Sequence, residues 1–333
     1  MVNDVRLQQL QGWLQKQLDC PSFKLEAMTN GASFRRYFRL NHNGQNYIVV
    51  DAPPDREASG LFALIARALI KLGINVPQIL AQDLHRGFLL ISDLGSRLYL
   101  QMFDTYDPGQ LYHYAIDTLL MIQECKDIPG YRLPVFDQNF ITSELGLFDH
   151  WFLRQQLGLS LSCEEEEIVS QAYEFLNTAV ATQPQVFIHR DYHSRNLILL
   201  DDNAVGVLDF QDAMWGPVTY DIVSLLRDCY ISWPEAQVKE WALLYWRQAQ
   251  DNGMMPQCSQ QKFLYWFDLM GIQRHLKAVG IFARLNKRDN KSAYLGDIPR
   301  TLSYVGDIGQ RYIALKPFID FLHTRVSPEV MKQ

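Results

Sequence analysis

The stretch Phe187-Ile-His-Arg-Asp-Tyr-His-Ser-Arg-Asn-Leu-Ile-Leu-Leu200, continued by Val207-Leu-Asp-Phe-Gln-Asp212, decides how the rest of the chain is read. An apolar run ends at His189, a polar turn carries Asp191 and Asn196, and a second pair of short apolar runs delivers Asp209. Apolar runs bounded by polar turns read as strands, and their ends lie at a sheet edge. Asp191 has the chemistry to take a proton from a hydroxyl. Asn196 and Asp209 offer hard oxygens suited to Mg²⁺, an ion usually held by one or two carboxylates plus substrate phosphates. A lone Asp between strands is more often a turn residue; four such positions in one short segment are not explained by turn chemistry.

The spacing His-x-Asp-x-x-x-x-Asn followed by Asp-Phe pairs a catalytic loop with a metal loop, as described for kinases, where catalysis is mostly positioning and charge neutralisation. Phosphoryl transfer from a nucleotide is the expectation, with Asp191 as base and Asn196 and Asp209 as the metal ligands.

Toward the N-terminus, Leu7, Leu10, Trp13, Leu14 and Leu18 recur at helical spacing. Three strands are then predicted at 23–27, 35–40 and 46–50, the last two joined by a His42-Asn-Gly-Gln45 hairpin turn. The connection Thr29-Asn-Gly-Ala-Ser-Phe34 is rich in small residues, so its backbone N–H groups, Ser33 included, suit an anion as readily as a plain turn. A helix over 55–72 is expected, capped by Asp55, closed by Gly73 and carrying Glu57 in its first turn. Two further strands at 76–81 and 87–91 lead to Ser92-Asp-Leu-Gly95, where the lobe boundary is placed. Exposed backbone at Ser92 and Leu94 there would suit the edge of a purine, although a plain loop reads equally well.

Beyond Gly109 the pattern turns helical, with helices expected at 110–124, 140–157 and 164–182 and, after the catalytic stretch, from Ile222, Trp233, Gln260 and Pro299. The fold class is α+β: a small antiparallel β lobe over 1–94 that binds nucleotide, then a larger, mainly helical lobe over 95–333 with the catalytic loop and substrate site. The acids Glu164 to Glu167 sit at a helix start, where negative charge is favoured, and read as a solvated cap. Asp221 is a candidate cap for the helix from Ile222.

The 48% hydrophobic and 20% charged residues describe an ordinary globular protein, and the net charge of −6 argues against nucleic-acid or anionic-membrane partners. Neither a leader-like N-terminus nor a membrane-length apolar run is found, so a cytoplasmic location is expected. Cys20, Cys125, Cys163, Cys229 and Cys258 are scattered, which suggests neither a disulfide framework nor a zinc site.

With the lobe order read, the chain resembles the aminoglycoside phosphotransferase-like kinases, which share the two-lobed protein-kinase-like fold. Residues 33–39, 50–54, 187–196, 207–212, 219–228, 273–277 and 294–300 look like the bacterial anomeric N-acetylmuramate/N-acetylglucosamine kinase group. That resemblance implies ATP and Mg²⁺ as cofactors and phosphorylation of the C1 hydroxyl of an N-acetyl amino sugar during peptidoglycan recycling. It also implies catalytic roles for Asp191 and His189, with His189 and Asp221 bracing the loop. Where the resemblance leads one to expect a phosphate-binding strand lysine, the chain reads Tyr47-Ile-Val-Val-Asp51, with no lysine between Lys24 and Lys71. Arg35 and Arg36 are the candidates to replace it, since a guanidinium fork suits phosphate.

Between Gly271 and Arg300 seven basic residues face only Asp289 and Asp297, which favours an anionic substrate such as N-acetylmuramate over a polycationic aminoglycoside. Arg274 and His275, in an otherwise apolar helix, are expected at the substrate, as are Glu144, Trp151 and Asp212. A kinase of another hydroxyl compound (an aminoglycoside or a choline-like alcohol) and a non-catalytic nucleotide-binding module are the alternatives.

Overall fold

A computed structural model describes residues 4–28 and 34–331. Its contacts divide the chain into two compact units. The first comprises Met1–Arg97 with Asp127–Arg132 and Ile198–Gln211, and the second Leu98–Lys126, Leu133–Leu197 and Asp212–Gln333. Two later segments therefore join the N-terminal body, where a contiguous boundary after Leu94 was expected; strands recruited from distant sequence carry no local boundary signal.

In the first unit, α1 (Val5–Leu18) is capped by Asp4, whose side chain accepts from the Leu7 N–H at 3.0 Å. Its Leu10, Trp13 and Leu14 pack against Phe38, Leu40, Val49, Phe88 and Leu90 of a five-stranded antiparallel sheet. The strands are β1 (Leu25–Ala27), β2 (Arg36–His42), β3 (Gln45–Asp51), β4 (Ile79–Asp83) and β5 (Phe88–Ser92), in the order β1-β2-β3-β5-β4. The β2–β3 hairpin turns at Asn43 and Gly44, both at positive φ, as a two-residue turn matching strand twist requires. Helix α2 spans Ser59–Lys71, not 55–72: Arg56 and Glu57 donate their N–H groups to the Pro53 carbonyl in a turn, and Ala58 at the cap position offers no side-chain acceptor.

The second unit carries α3 (Tyr99–Met102), α4 (Pro108–Gln123), α5 (Gln138–Leu147), α6 (Cys163–Ala181), strand β6 (Gln185–Ile188), then strand β9 (Met214–Pro217) and helices α7 (Tyr220–Leu226), α8 (Glu235–Asp251), α9 (Gln260–Asp289) and α10 (Ile298–Gly309). The intervening β7 (Leu197–Leu199) and β8 (Val205–Val207) pair with each other, while β6 pairs antiparallel with β9. The helix expected over 140–157 passes at Leu147 into a wider π-helical stretch, Phe148–Gln156. That junction meets α9 so closely that a Cβ on Gly280 would lie 2.4 Å from the Leu147 carbonyl carbon. At the start of α6, Ser162 and Glu165 form a reciprocal capping box. No helix among the described residues is long and apolar enough to cross a membrane.

Candidate active site

In the second unit, β6 ends at Ile188 and the loop 189–196 follows. Two features set its path. The carboxylate of Asp221, wholly buried in the first turn of α7, accepts the backbone N–H groups of His189 at 2.6 Å and Arg190 at 2.9 Å. Arg190 itself stands at φ 77°, a left-handed conformation that costs a non-glycine residue about 1 kcal/mol or more and persists only where its surroundings hold it. Asp221 thus serves the loop and not the α7 cap, where Thr219 makes no capping bond and its hydroxyl instead donates to the Gln183 side-chain oxygen at 2.6 Å. Burial pushes the Asp221 carboxyl up to about 7, against the opposing pull of those two N–H groups and of Arg274.

The far end of the loop is closed by Asn196, whose N–H donates to the His193 carbonyl and whose side-chain amide donates to the Asp191 carbonyl, both at 2.9 Å. That bond turns the amide nitrogen inward, so the Asn196 oxygen is the atom left to act as a ligand. His189 has no exposed surface, and its Nδ1 accepts from the Asp191 N–H at 3.3 Å. The Asp191 carboxylate is partly exposed. Burial of its site acts to raise its pKa, but Lys277, His193, Arg274 and Arg190 outweigh that and hold it well below the usual carboxylate range. Asp191 is therefore ionised at any working pH.

Arg274, 6% exposed on α9, lies 3.9 Å from the Asp191 carboxylate and donates to the Arg190 carbonyl at 3.3 Å. Glu144 differs from its expected place at the substrate. It is 3% exposed and holds Arg190 at 2.7 Å, Lys277 at 3.3 Å and the Gln273 amide at 3.0 Å, so its oxygens face cations of the fold. Burial raises its pKa, and the two cations more than reverse the effect. Lys277 also donates to the Tyr220 hydroxyl at 2.9 Å. His275 likewise departs from expectation: it is wholly buried, its Nε2 meets the Arg227 carbonyl at 2.9 Å and its ring stacks on Tyr304. On a helix buried all round, adjacent positions face different neighbours, and only Arg274 is turned to the loop. Trp151 is half-buried on the π-helical stretch with its ring edge-on to His150, and Asp212 is exposed.

The first unit carries the other predicted groups. Ser33 lies outside the described residues. Arg35, 5% exposed, forms an ion pair with Glu57 at 3.1 Å, and Glu57 also accepts the Phe34 N–H at 3.2 Å. A guanidinium thus stands by Glu57, while residues 47–51, where a strand lysine was expected, carry none. Tyr37 belongs to the same cluster: burial raises its hydroxyl pKa, the Asp209 and Glu57 charges add to that and Arg35 opposes them. Tyr37 was missed in the sequence because an aromatic in a strand reads as core. Asp209 is exposed, stands at φ 63° and accepts from the Gln211 side-chain amide at 2.7 Å. Like Arg190, it is a non-glycine residue in the left-handed region, a conformation that persists only where its surroundings hold it.

Arg36, expected at the nucleotide, belongs elsewhere. Successive strand residues point to opposite faces, and Arg36 is turned to its register partner Asp51 and to Asp4, with Arg6 also bound to Asp51. Asp51, the residue in the expected lysine region, is thereby a buried structural counter-ion. At the end of β5, Ser92 is engaged with Gln78 through both its N–H and its hydroxyl. The backbone N–H and C=O of Leu94, by contrast, have no hydrogen-bond partner among the described residues. Arg39 and the Gly95 N–H hold the neighbouring Asp93 at 2.7 and 2.8 Å, which fixes the segment. No group of three or more His, Cys, Asp or Glu among the described residues could hold a metal.

Comparison with known proteins adds three findings. The phosphotransferase enzyme family matches residues 24–258. An N-acetylmuramate/N-acetylglucosamine kinase from Pseudomonas putida is 42% identical over 321 residues, 93% of this chain and 94% of that protein. One of the same name from Neisseria meningitidis serogroup B is 36% identical, covering 97% of each. Among solved structures, the ADP-bound aminoglycoside phosphotransferase APH(2'')-Ib superposes with a TM-score of 0.59 over 92% of this chain and 99% of its own, at 15% identity, a likeness of fold.

Proposed function

This chain belongs to the phosphotransferase enzyme family, and from that premise we propose that it is an ATP-dependent N-acetylmuramate/N-acetylglucosamine kinase acting on the anomeric hydroxyl. The observation that carries the reading is near-full-length identity of 42% to a kinase of that name, in a chain whose 189–196 loop presents an ionised Asp191.

Asp191 accepts a hydrogen bond from the sugar hydroxyl and orients its oxygen for in-line attack on the γ-phosphorus. The new O–P bond forms as the bond to the β-phosphate oxygen breaks, ADP leaves, and the hydroxyl proton passes to Asp191. So acidic a carboxylate is a weak base, which suits a loose transition state where the proton leaves late and alignment contributes most. By their motif positions Asn196 and Asp209 are the residues that would hold a Mg²⁺ ion, which would offset charge on the phosphates; Arg35, beside Glu57, is the residue proposed for the phosphate-binding role of the missing lysine. The free backbone groups of Leu94 suit the purine edge. Arg274 favours an acceptor bearing a carboxylate and opposes a polycation. Sugar 1-phosphates of this kind fit a place in cell-wall sugar recycling.

The test is ATP consumption across a panel of N-acetylmuramate, N-acetylglucosamine, aminoglycosides and choline, with the product examined for an acid-labile 1-phosphate. Transfer to neither amino sugar, or to a hydroxyl other than the anomeric one, overturns the reading.

A further inference from the structure

We propose that Asp228 is a positioning residue for phosphoryl transfer, the second of two carboxylates by which the α7 segment holds the catalytic loop. The proposal rests on the reading of 189–196 as that loop. Asp221, in the first turn of α7, fixes its entry through the His189 and Arg190 N–H groups. Asp228 lies just past the last turn of the same helix and is 1% exposed. One of its oxygens accepts both the N–H of Ser194, at 3.0 Å, and the Ser194 hydroxyl. Its other oxygen accepts the Tyr230 N–H at 2.9 Å. The Tyr230 ring carries the Arg195 guanidinium 3.5 Å above its centre and meets the His193 imidazole edge-on. Residues 193, 194 and 195 are thus all fixed, directly or through Tyr230, by one buried carboxylate.

What remains between the two anchors is Asp191 and Tyr192, and the Tyr192 hydroxyl is bound to the Ala115 carbonyl at 2.8 Å. Asn196, next after the Asp228 anchor, reaches back to the Asp191 carbonyl. A shift of Ser194 is therefore passed to Asp191 from one side and to the Asn196 amide from the other. A buried carboxylate is costly unless its lone pairs are met, and here three donors meet it. The arrangement spends a buried charge on the one stretch of backbone whose placement sets the reaction.

The test is steady-state kinetics of Asp228→Asn, Ser194→Ala and the double variant, with melting temperatures recorded alongside. Misplacement of reacting groups by about 1 Å costs on the order of a hundredfold, so Asp228→Asn is expected to lower kcat about that much. Both KM values should stay within about threefold, because loss confined to kcat marks an interaction made in the transition state. Ser194→Ala, which removes one hydroxyl, should lower kcat about tenfold, and the double variant should be no slower than Asp228→Asn, since partners in one network are not additive. Wild-type kcat in a folded variant, losses confined to KM, or losses that multiply would each overturn the proposal. Should Asp228→Asn fail to fold, Ser194→Ala decides alone by its kcat. The acceptor used is whichever alcohol the wild type phosphorylates, so a different substrate would sink the sugar assignment while this comparison still reads the loop. A wild type that transfers phosphate to no acceptor, water included, overturns both.

Discussion

Asp191 and Arg35 are the two side chains on which the proposed chemistry turns, and they are set by opposite means. The Asp191 carboxyl is held ionised by surrounding cations, so its task is to align, and Asp191→Asn keeps the shape while losing the acceptor that orients the hydroxyl. We expect kcat to fall about a hundredfold or more, with the melting temperature little changed; a coupled ATP assay checks it, and unchanged turnover removes Asp191 from the mechanism. Arg35→Ala should raise KM for ATP at least about tenfold, since a charge-assisted bond to phosphate contributes on the order of 1.5–3 kcal/mol. Were KM for ATP unmoved, the Arg35–Glu57 pair would be structural only. Asp191, Asn196 and Asp209 were singled out by spacing alone, because their motif falls within one short segment of the chain. Arg35 was one of two equal candidates in the sequence, and only the facing of its side chain separated it from Arg36.

At the level of elements, periodicity located the helices and strands but not the places where two elements press together. The helix expected over 140–157 widens after Leu147, at the point where α9 crosses it at Gly280. Gly280→Ala places a methyl against backbone that has little freedom to move, and overpacking of this kind costs about 1–3 kcal/mol. Urea unfolding should show that loss with an unchanged slope; a neutral or stabilising effect would mean that the two backbones do not meet at Gly280. Glu144 and His275 teach the same lesson from the other side. Both sit in sequence settings that suggest function, an acid and an imidazole among apolar residues, and both are interior groups bonded to their own fold. Polarity in an apolar helix announces that a partner exists, not whether the partner is substrate or protein.

For the molecule as a whole, the buried titratable groups set how stability responds to pH. Burial, with Arg274 and Arg227 adding to it, lowers the pKa of His275 from 6.5 to about 3. The unfolded chain therefore takes up a proton below 6.5 that the folded one refuses until about 3. The contribution is complete above pH 6.5 and is lost as pH falls toward 3, at up to roughly 1.4 kcal/mol per unit. Asp221 acts in the opposite sense: its raised pKa favours the protonated folded form, so stability is lost as pH rises from about 4 to about 7. The two slopes offset each other in wild type. His275→Gln removes one of them, so its stability relative to wild type should fall as pH rises from 3 to 6.5, measured by urea unfolding at several pH values. A constant difference across that window would show that the imidazole is not held neutral.

By itself the sequence determined the α+β order of a sheet followed by helices, the position of the catalytic motif and the kind of chemistry it serves, because each depends on neighbours within a few residues. Tertiary structure alone decided which arginine joins Glu57 and which joins Asp51, and that Asp221 and Asp228 grip the loop from beyond β9. Those outcomes depend on which face of an element meets another, and a side chain's partner across dozens of residues leaves no periodic trace in the chain.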